Sequence, residues 1–436
     1  MIQRMPLLKR IRLEDLPEAR SRARDPEAEE TAARIVGDVS DRGEAAVRDW
    51  AVKLGELKAG DPLTIGREGL EAALSSLKAD ERGILERARD RVLAFAEAQR
   101  SALGDIDLPV PGGRAGHAFL PVARAGCYAP GGRYPLPSSA IMTACAAKAA
   151  RVPSIWCAGP KPGRSTLAAA ALAGAEGFLA AGGAQGIAAL AFGAGVPPCD
   201  VVVGPGGRYV AAAKRLLFGV VGTEAPAGPS ELLVIAGEGA SPEIAAADLL
   251  AQAEHDVAAV PVIVVFDEGF AGRFAMALDE ALARRLAELP EPNKSIAAAA
   301  LANGWMLMAR DQAEAEAAAE RFAPEHLELL VSDPRSWAAR IRNAGAVFLG
   351  PGSAEVFGDY GAGPNHCLPT GGAARFAAGL SVLAFLRART WLEMDDPAAL
   401  SSEAAALARI EGLEAHARAA ELRSATPRLK NTEGSV

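Results

Sequence analysis

From about residue 118 onward, short apolar runs alternate with alanine-rich stretches of helical spacing. The runs are SIWCAG, GFLAAGG, DVVVGPG and LLVIAG, then PVIVVF, WMLMAR, LELLVS and AVFLGP. Strands apolar along their whole length must be covered on both faces, and alternation with helices supplies that cover by βαβ crossovers on a mostly parallel sheet. The rhythm runs once before and once after roughly residue 236. Two α/β domains of similar build are therefore expected, over 118–235 and 236–375, and no short-period repeat is visible. From Pro26 to about Leu103 the apolar residues recur at helical spacing, as in AARIVGDVSDRGEAAVRDWAVKL, so 1–117 is expected to be a helical N-terminal region. After Phe376 the pattern is helical again, through LARIEGLEAHARAAELRSA. The region 376–436 ends in a polar stretch, TPRLKNTEGSV, expected to be a mobile tail.

A chain of 436 residues is long enough for several domains and a sizeable core. Its net charge of −8 argues against a nucleic acid or an anionic membrane surface as the main partner, which favours small-molecule chemistry. The first twenty residues carry charges every few positions and lack a signal-peptide core, and no apolar run reaches the length of a membrane span. Five cysteines, Cys127, Cys145, Cys157, Cys199 and Cys367, include no Cys-x-x-Cys pair. An odd, scattered set fits buried thiols in a reducing cytoplasm, not a disulfide frame or a thiolate zinc site.

Histidine is scarce: His117, His255, His326, His366 and His416. In ADLLAQAEHD, read as a helix, Gln252 and His255 stand at i and i+3 and share a face. An amide oxygen and an imidazole nitrogen so placed make half of a metal site, while the plainer reading is a solvated helix end. In FAPEHLELLV, Glu325 and His326 precede a strand-like run, and a sheet edge is where α/β enzymes place catalytic groups. A neutral imidazole suits proton abstraction and a carboxylate beside it can activate water; the competing reading is a helix N-terminus with an acid on its dipole. FGDYGAGPNHCLPTGG gathers Asp359, Asn365 and His366 in a loop that could carry a carboxylate to a metal, although turns use Asp and Asn for their own backbone bonds. RIEGLEAHARAA puts Glu411 and His416 on a C-terminal helix, by itself a solvated face. Three glycine-rich turns, APGGRYPLPSS, AAGGAQGIAAL and VVVGPGGRYVAAAKRLL, follow strand-like runs and lead toward helices. Their amides could cradle a phosphate, but none has Gly-x-Gly-x-x-Gly spacing.

Taken in order, CYAPGGRYPLPSSAIMTACAAKAA, GGAQGIAALAFG, VVGPGGRYVAAAKR, APAGPSELLVIA, DLLAQAEHD, APEHLEL, GDYGAGPNHCLPT and EGLEAHARAAELR resemble histidinol dehydrogenase over residues 118 to 423. The resemblance implies an α/β fold of two incomplete Rossmann-like domains with parallel-sheet cores, plus helical N- and C-terminal regions. It implies one zinc ion per subunit held by Gln252, His255, Asp359 and His416. It makes His326 the general base and Glu325 the activator of water, with NAD accepting hydride twice. Substrate contacts fall on Ser230, His366 and Glu411 together with His326 and the four metal residues, and NAD contacts on Tyr128, Gln185 and the turn at Gly207. It further implies a cytoplasmic homodimer in which the C-terminal region, with Glu411 and His416, completes the partner's site. Two departures stand out. Gly207 replaces the asparagine of the usual Gly-Pro-Gly-Asn turn, and GTEA precedes PAGPS where an Ile-Asp pair is usual.

Three readings result. The first is oxidation of L-histidinol through the aldehyde to L-histidine. The second is oxidation of another small alcohol, such as a sulfonated diol, on the same scaffold with the same zinc, base and cofactor. The third is a non-catalytic metal-binding α/β protein. His366 and Glu411 favour the first over the second, and the Glu325–His326 pair disfavours the third, since a binding module has no use for a base beside its metal.

Overall fold

The computed structural model describes residues 6–18, 25–131, 135–225 and 228–424. The expected tail from residue 425, Gly132–Tyr134 of the first glycine-rich turn and Pro226–Ala227 before Ser230 lie outside them. Within the described residues fifteen strands follow one another as β1 (Lys9–Ile11), β2 (Thr64–Gly66), β3 (Ile106–Val110), β4 (Gly113–Pro121), β5 (Arg124–Tyr128), β6 (Ser154–Ala158), β7 (Gly177–Leu179), β8 (Val201–Val203), β9 (Gly222–Thr223), β10 (Glu231–Ala236), β11 (Val260–Phe266), β12 (Trp305–Ala309), β13 (His326–Leu330), β14 (Ala346–Leu349) and β15 (Leu386–Met394).

The chain divides into two compact units, Met1–Gln99 with Val122–Phe385, and Arg100–Pro121 with Leu386–Val436. The first holds two six-stranded sheets. One has the order β2-β7-β6-β5-β8-β9, parallel except for β2, which runs against β7. The other has the order β1-β12-β11-β10-β13-β14 and is parallel throughout. Burial on both faces explains their unbroken apolar strands: along β10, Leu232, Val234 and Ala236 enter one core while Leu233 and Ile235 enter the core on the opposite face. In each sheet the chain first builds outward on one side of a central strand and then jumps to its other side. The switch points thus lie between β5 and β8 and between β10 and β13.

The terminal regions differ from expectation in a definite way. The 1–117 region is mostly helical, but β1 extends the second sheet, β2 edges the first, and β3 with β4 forms part of the other unit. Short strands of three to five residues give too little alternation to stand out beside helical neighbours. The helix Pro26–Arg42 fits the pattern: Ala28, Ala32, Ile35 and Val39 recur every third or fourth residue and pack into the first sheet's core. Asp25 caps its N-terminus by accepting from the Ala28 N–H. The second unit is an antiparallel β15-β4-β3 sheet followed by helices Ala398–Ile410 and Glu414–Ser424. The C-terminal region is therefore not purely helical, since it opens with the nine-residue β15. No helix among the described residues is long and apolar enough to cross a membrane. All five cysteines are buried and unpaired.

Candidate active site

His326 is the first residue of β13, and Ser230 immediately precedes β10, its neighbour in the sheet. The site therefore gathers at the amino ends of the second sheet, not at the carboxyl ends where α/β sheets usually bind ligands. Topology accounts for this. The helix Pro242–Ala253 follows β10 and returns across the sheet, so its C-terminal end arrives at the amino ends of the strands. That end carries Gln252 and His255. The helix stops at Ala253 with Glu254 as its cap, so His255 lies just beyond it and not within it as the spacing suggested. Its N–H still faces the Gln252 carbonyl at 3.4 Å, which preserves a one-turn relation between the two side chains.

Asp359 closes a short helix, Glu355–Asp359, in place of the expected open loop. Its Oδ2 lies 3.6 Å from His255 Nε2. Glu355, one turn earlier on the same helix, completes a group whose ligand atoms all lie within 4.8 Å of one another: His255, Glu355 and Asp359. Gln252 is fully buried against Glu355. With its amide nitrogen turned toward that carboxylate it donates to Oε1 at 2.9 Å and Oε2 at 3.1 Å, which leaves its oxygen free to face a cation. Glu355 was not among the sequence-derived residues. Its only signal was a carboxylate four residues before Asp359, a spacing that becomes informative once the segment is known to be helical.

The His326 ring is held from behind. Its Nδ1 lies 3.0 Å from the Glu231 carbonyl oxygen, which can only accept, so Nδ1 carries the proton and Nε2 keeps its lone pair. Glu325 and Glu355 approach Nδ1 at 3.6 and 3.7 Å, too far for a hydrogen bond. Burial lowers the His326 pKa to about 4, against the opposing pull of Asp359. Glu325 accepts from the Glu231 N–H at 2.9 Å, yet burial, followed by the charges of Glu231, Glu355 and Asp359, pushes its carboxyl well above the ordinary range. Burial does the same to Glu355. Several carboxyls crowded into one desolvated place beside an imidazole and an amide are the donor set that a divalent cation would satisfy, and nitrogen and oxygen donors without thiolate suit zinc.

His366 joins the same place. Its Nδ1 lies 3.2 Å from the Asp359 carbonyl oxygen and its Nε2 3.3 Å from Ser139 Oγ, and Asn365 Nδ2 donates to the Met142 carbonyl at 2.8 Å. The loop after Asp359 is thereby fastened to the helix Pro137–Ala149 of the first sheet. A cavity of about 280 Å³ opens between His326, Asp359, His366 and Phe348.

Residues expected to contact NAD lie at the switch point of the first sheet. Tyr128 ends β5, and its hydroxyl accepts from the Gly183 N–H at 3.0 Å. Gln185 donates through Nε2 to Glu56 at 3.0 Å, while its buried Oε1 has no partner among the described residues. Gly207 is the N-cap of the helix Arg208–Leu217, and a Cβ there would meet nothing within 4 Å. The loss of asparagine at this turn is thus not imposed by crowding. The second departure is also resolved. Glu224 is buried against Lys214, and together they bond both the N–H and the carbonyl of Gly204, which follows β8.

Glu411 and His416 do not share a helix. Glu411 caps Ala398–Ile410, Gly412 breaks the chain at φ +76°, and His416 lies on Glu414–Ser424. Both are exposed and belong to the second unit.

A family model described as histidinol dehydrogenase matches residues 18–424. The chain is 43% identical to a histidinol dehydrogenase of Thermus thermophilus, with 92% of this chain and 95% of the relative covered. It is 40% identical to that of Dechloromonas aromatica, covering 92% and 93%. A sulfopropanediol 3-dehydrogenase of Ruegeria pomeroyi is 38% identical, with the same coverage. Among solved structures, a histidinol dehydrogenase of Elizabethkingia anophelis superposes with a TM-score of 0.87 at 28% identity, covering 97% of this chain and 99% of that one.

Proposed function

The chain belongs to the histidinol dehydrogenase family of oxidoreductases, and we propose that it oxidises L-histidinol through L-histidinal to L-histidine, with NAD taking hydride twice and zinc held in the site. The observation that carries this reading is the meeting, at one cavity, of an imidazole with its lone pair free and Asp359, which belongs to a cluster of cation-binding donors with His255 and Glu355.

Gln252, His255 and Asp359 would hold the zinc, with His416 supplied by a second copy of the chain. When bound, the ion supplies a fixed positive charge beside the substrate's amine and imidazole. His326, neutral at physiological pH, would take the hydroxyl proton at Nε2 as the substrate's carbon gives up its hydride. Glu325, which burial holds protonated until a bound cation's positive charge offsets it, would as a carboxylate take a proton from the water that attacks the aldehyde carbon. NAD, when bound, would accept the hydride released at each of the two oxidations, and the anionic aldehyde hydrate left by the water's attack would become the carboxylic acid at the second. Ser230, His366 and Glu411 would bind the substrate, and Tyr128, Gln185 and the Gly207 turn the cofactor.

Dimerisation is supported by the C-terminal helices, where Leu407, Ile410, Leu413 and Leu422 are exposed beside His416. A cytoplasmic enzyme of histidine biosynthesis fits buried free thiols and a dependence on NAD.

The second reading, a dehydrogenase of a sulfonated diol, rests on the likeness to the sulfopropanediol enzyme. Zinc-loaded protein given NAD should form NADH from histidinol with a kcat/KM about a hundredfold or more above that for sulfopropanediol, because a site built for an imidazole loses its polar contacts with any other alcohol. The reverse ratio would replace the first reading with the second.

A further inference from the structure

We propose that Glu231 is a positioning residue for both proton transfers, its backbone holding Glu325 and His326 and its buried side chain anchoring that backbone to the turn at Gly371. This rests on the dehydrogenase reading above and adds the residue that sets the two proton-transfer groups in place. Glu231 opens β10 as the only polar residue of ELLVIA and is 4% exposed. A carboxylate buried at the head of an apolar strand costs free energy unless it is bonded, so its place calls for a use.

Both backbone polar groups of Glu231 are engaged at the site. The N–H donates to Glu325 Oε2 at 2.9 Å, and the carbonyl accepts from His326 Nδ1 at 3.0 Å. Glu325 and His326 are neighbours in the chain, and β10 lies beside β13 with Leu232 paired to His326. One residue of the adjoining strand therefore fixes both side chains, and a shift of Glu231 would move both. A misplacement of about 1 Å can cost roughly a hundredfold in rate.

The side chain supplies the anchor. Its Oε1 accepts from the Gly371 N–H at 3.2 Å. Gly371 and Gly372 both have left-handed backbones, φ +61° and +77°, which glycine adopts without strain. The preceding Thr370, buried, accepts through Oγ1 from the Gly228 N–H. A Cβ on Gly345 would come within 2.6 Å of the Glu325 carbonyl oxygen and 3.1 Å of Pro369 Cδ, so the turn also closes on the Glu325 backbone. The turn follows His366 in the chain, and the anchor thereby joins the loop bearing Asp359 and His366 to the acid–base pair. Glu231 acts on Glu325 through charge as well. Burial raises the Glu325 carboxyl most; the Glu231 N–H opposes this and the Glu231 carboxylate adds to it. Glu355 and Asp359 are the other charges facing it, and His326 Nδ1 lies 3.6 Å away.

The test compares Glu231→Leu and Glu231→Gln in the full-length, zinc-loaded protein. Leucine fills the space without an acceptor, while glutamine keeps the acceptor for Gly371 and removes the charge. Glu231→Leu should lower kcat for histidinol by about 10- to 100-fold, with zinc content and the KM for NAD as in wild type. Glu231→Gln should recover most of that loss. Its oxidation of histidinal should also reach full rate at lower pH than in wild type, because Glu325 ionises more readily once the neighbouring charge is gone. A purely structural role would lower Tm and move neither. Wild-type kcat in Glu231→Leu, or an unmoved pH profile in Glu231→Gln, would overturn the proposal, and the second result decides it even if the leucine variant does not fold. Absence of NADH formation by wild type would instead overturn the dehydrogenase reading. The ring N–H signal of His326, resolved by NMR among five labelled histidines, would still decide Glu231. It should be protected from water in wild type and in Glu231→Gln and exchange freely in Glu231→Leu, and equal protection in all three would overturn the positioning role.

Discussion

At the scale of single residues, the chemistry turns on His326 and what fixes it. The sequence could nominate this histidine because it stands beside a carboxylate before an apolar run. It could not reveal the Glu231 carbonyl that sets its tautomer, because that partner lies 95 positions away and is a backbone atom. His326→Ala should lower kcat by about 10²- to 10⁴-fold with zinc content unchanged, measured by steady-state kinetics and metal analysis. The pH profile should agree in sign. A base must be neutral to act, so activity rises as pH climbs through its pKa. With that value lowered to about 4, kcat/KM should stay level down through pH 6 and show no His326 limb near 6.5. A second prediction concerns the Gly207 turn, where the sequence flagged a missing side chain and the structure finds room for one. Gly207→Asn should lower the KM for NAD several-fold, by about 1 kcal/mol of regained hydrogen bonding; an unchanged KM would remove this turn from the cofactor site.

At the scale of elements, what the sequence carried well was the long apolar strands and the helices with clear caps. What it missed were junctions: the helix ending at Ala253, the short helix at Glu355–Asp359 and the break at Gly412. Such ends are settled by tertiary partners more than by local preference. The β13 strand and the Gln252 helix also meet behind the site through Glu328 and Asp248, a link invisible to any local pattern. As two carboxylates they could only repel. Burial and the Asp248 charge raise the Glu328 pKa to about 9, so Glu328 keeps its proton and donates to Asp248. The sign of the stability effect follows. A carboxyl raised in the folded state favours folding below its unfolded value near 4.5, and that contribution is lost as pH rises toward 9. Glu328→Gln keeps a donor to Asp248 and has no proton to lose. Its Tm should match wild type near pH 5 and exceed it at pH 8, and a difference independent of pH would refute the shared-proton arrangement.

At the scale of the whole molecule, the sequence carried the mixed α/β class with parallel-strand sheets, because alternation of buried strands and helices survives any detail of packing. It did not show that the termini feed strands into three different sheets, since β1 and β2 gain their meaning only from partners far along the chain. The C-terminal unit carries Glu411 and His416 exposed, and in the proposed dimer they would act in the partner's site. Mixing His255→Ala and His416→Ala subunits, each inactive alone, should therefore restore activity. Random pairing makes about half the dimers mixed, each with one intact site of two, so recovery should approach about a quarter of wild type. Verified heterodimers that remain inactive would place all ligands in one chain.

The central claim is a four-electron oxidation of histidinol by a single site, and the stoichiometry of the reaction tests it most directly. Limiting L-histidinol, excess NAD and the zinc-loaded protein should yield two NADH per histidinol consumed, read by absorbance, with histidine as the product by mass spectrometry. One NADH with the aldehyde accumulating, or NADH from a sulfonated diol and none from histidinol, would contradict it.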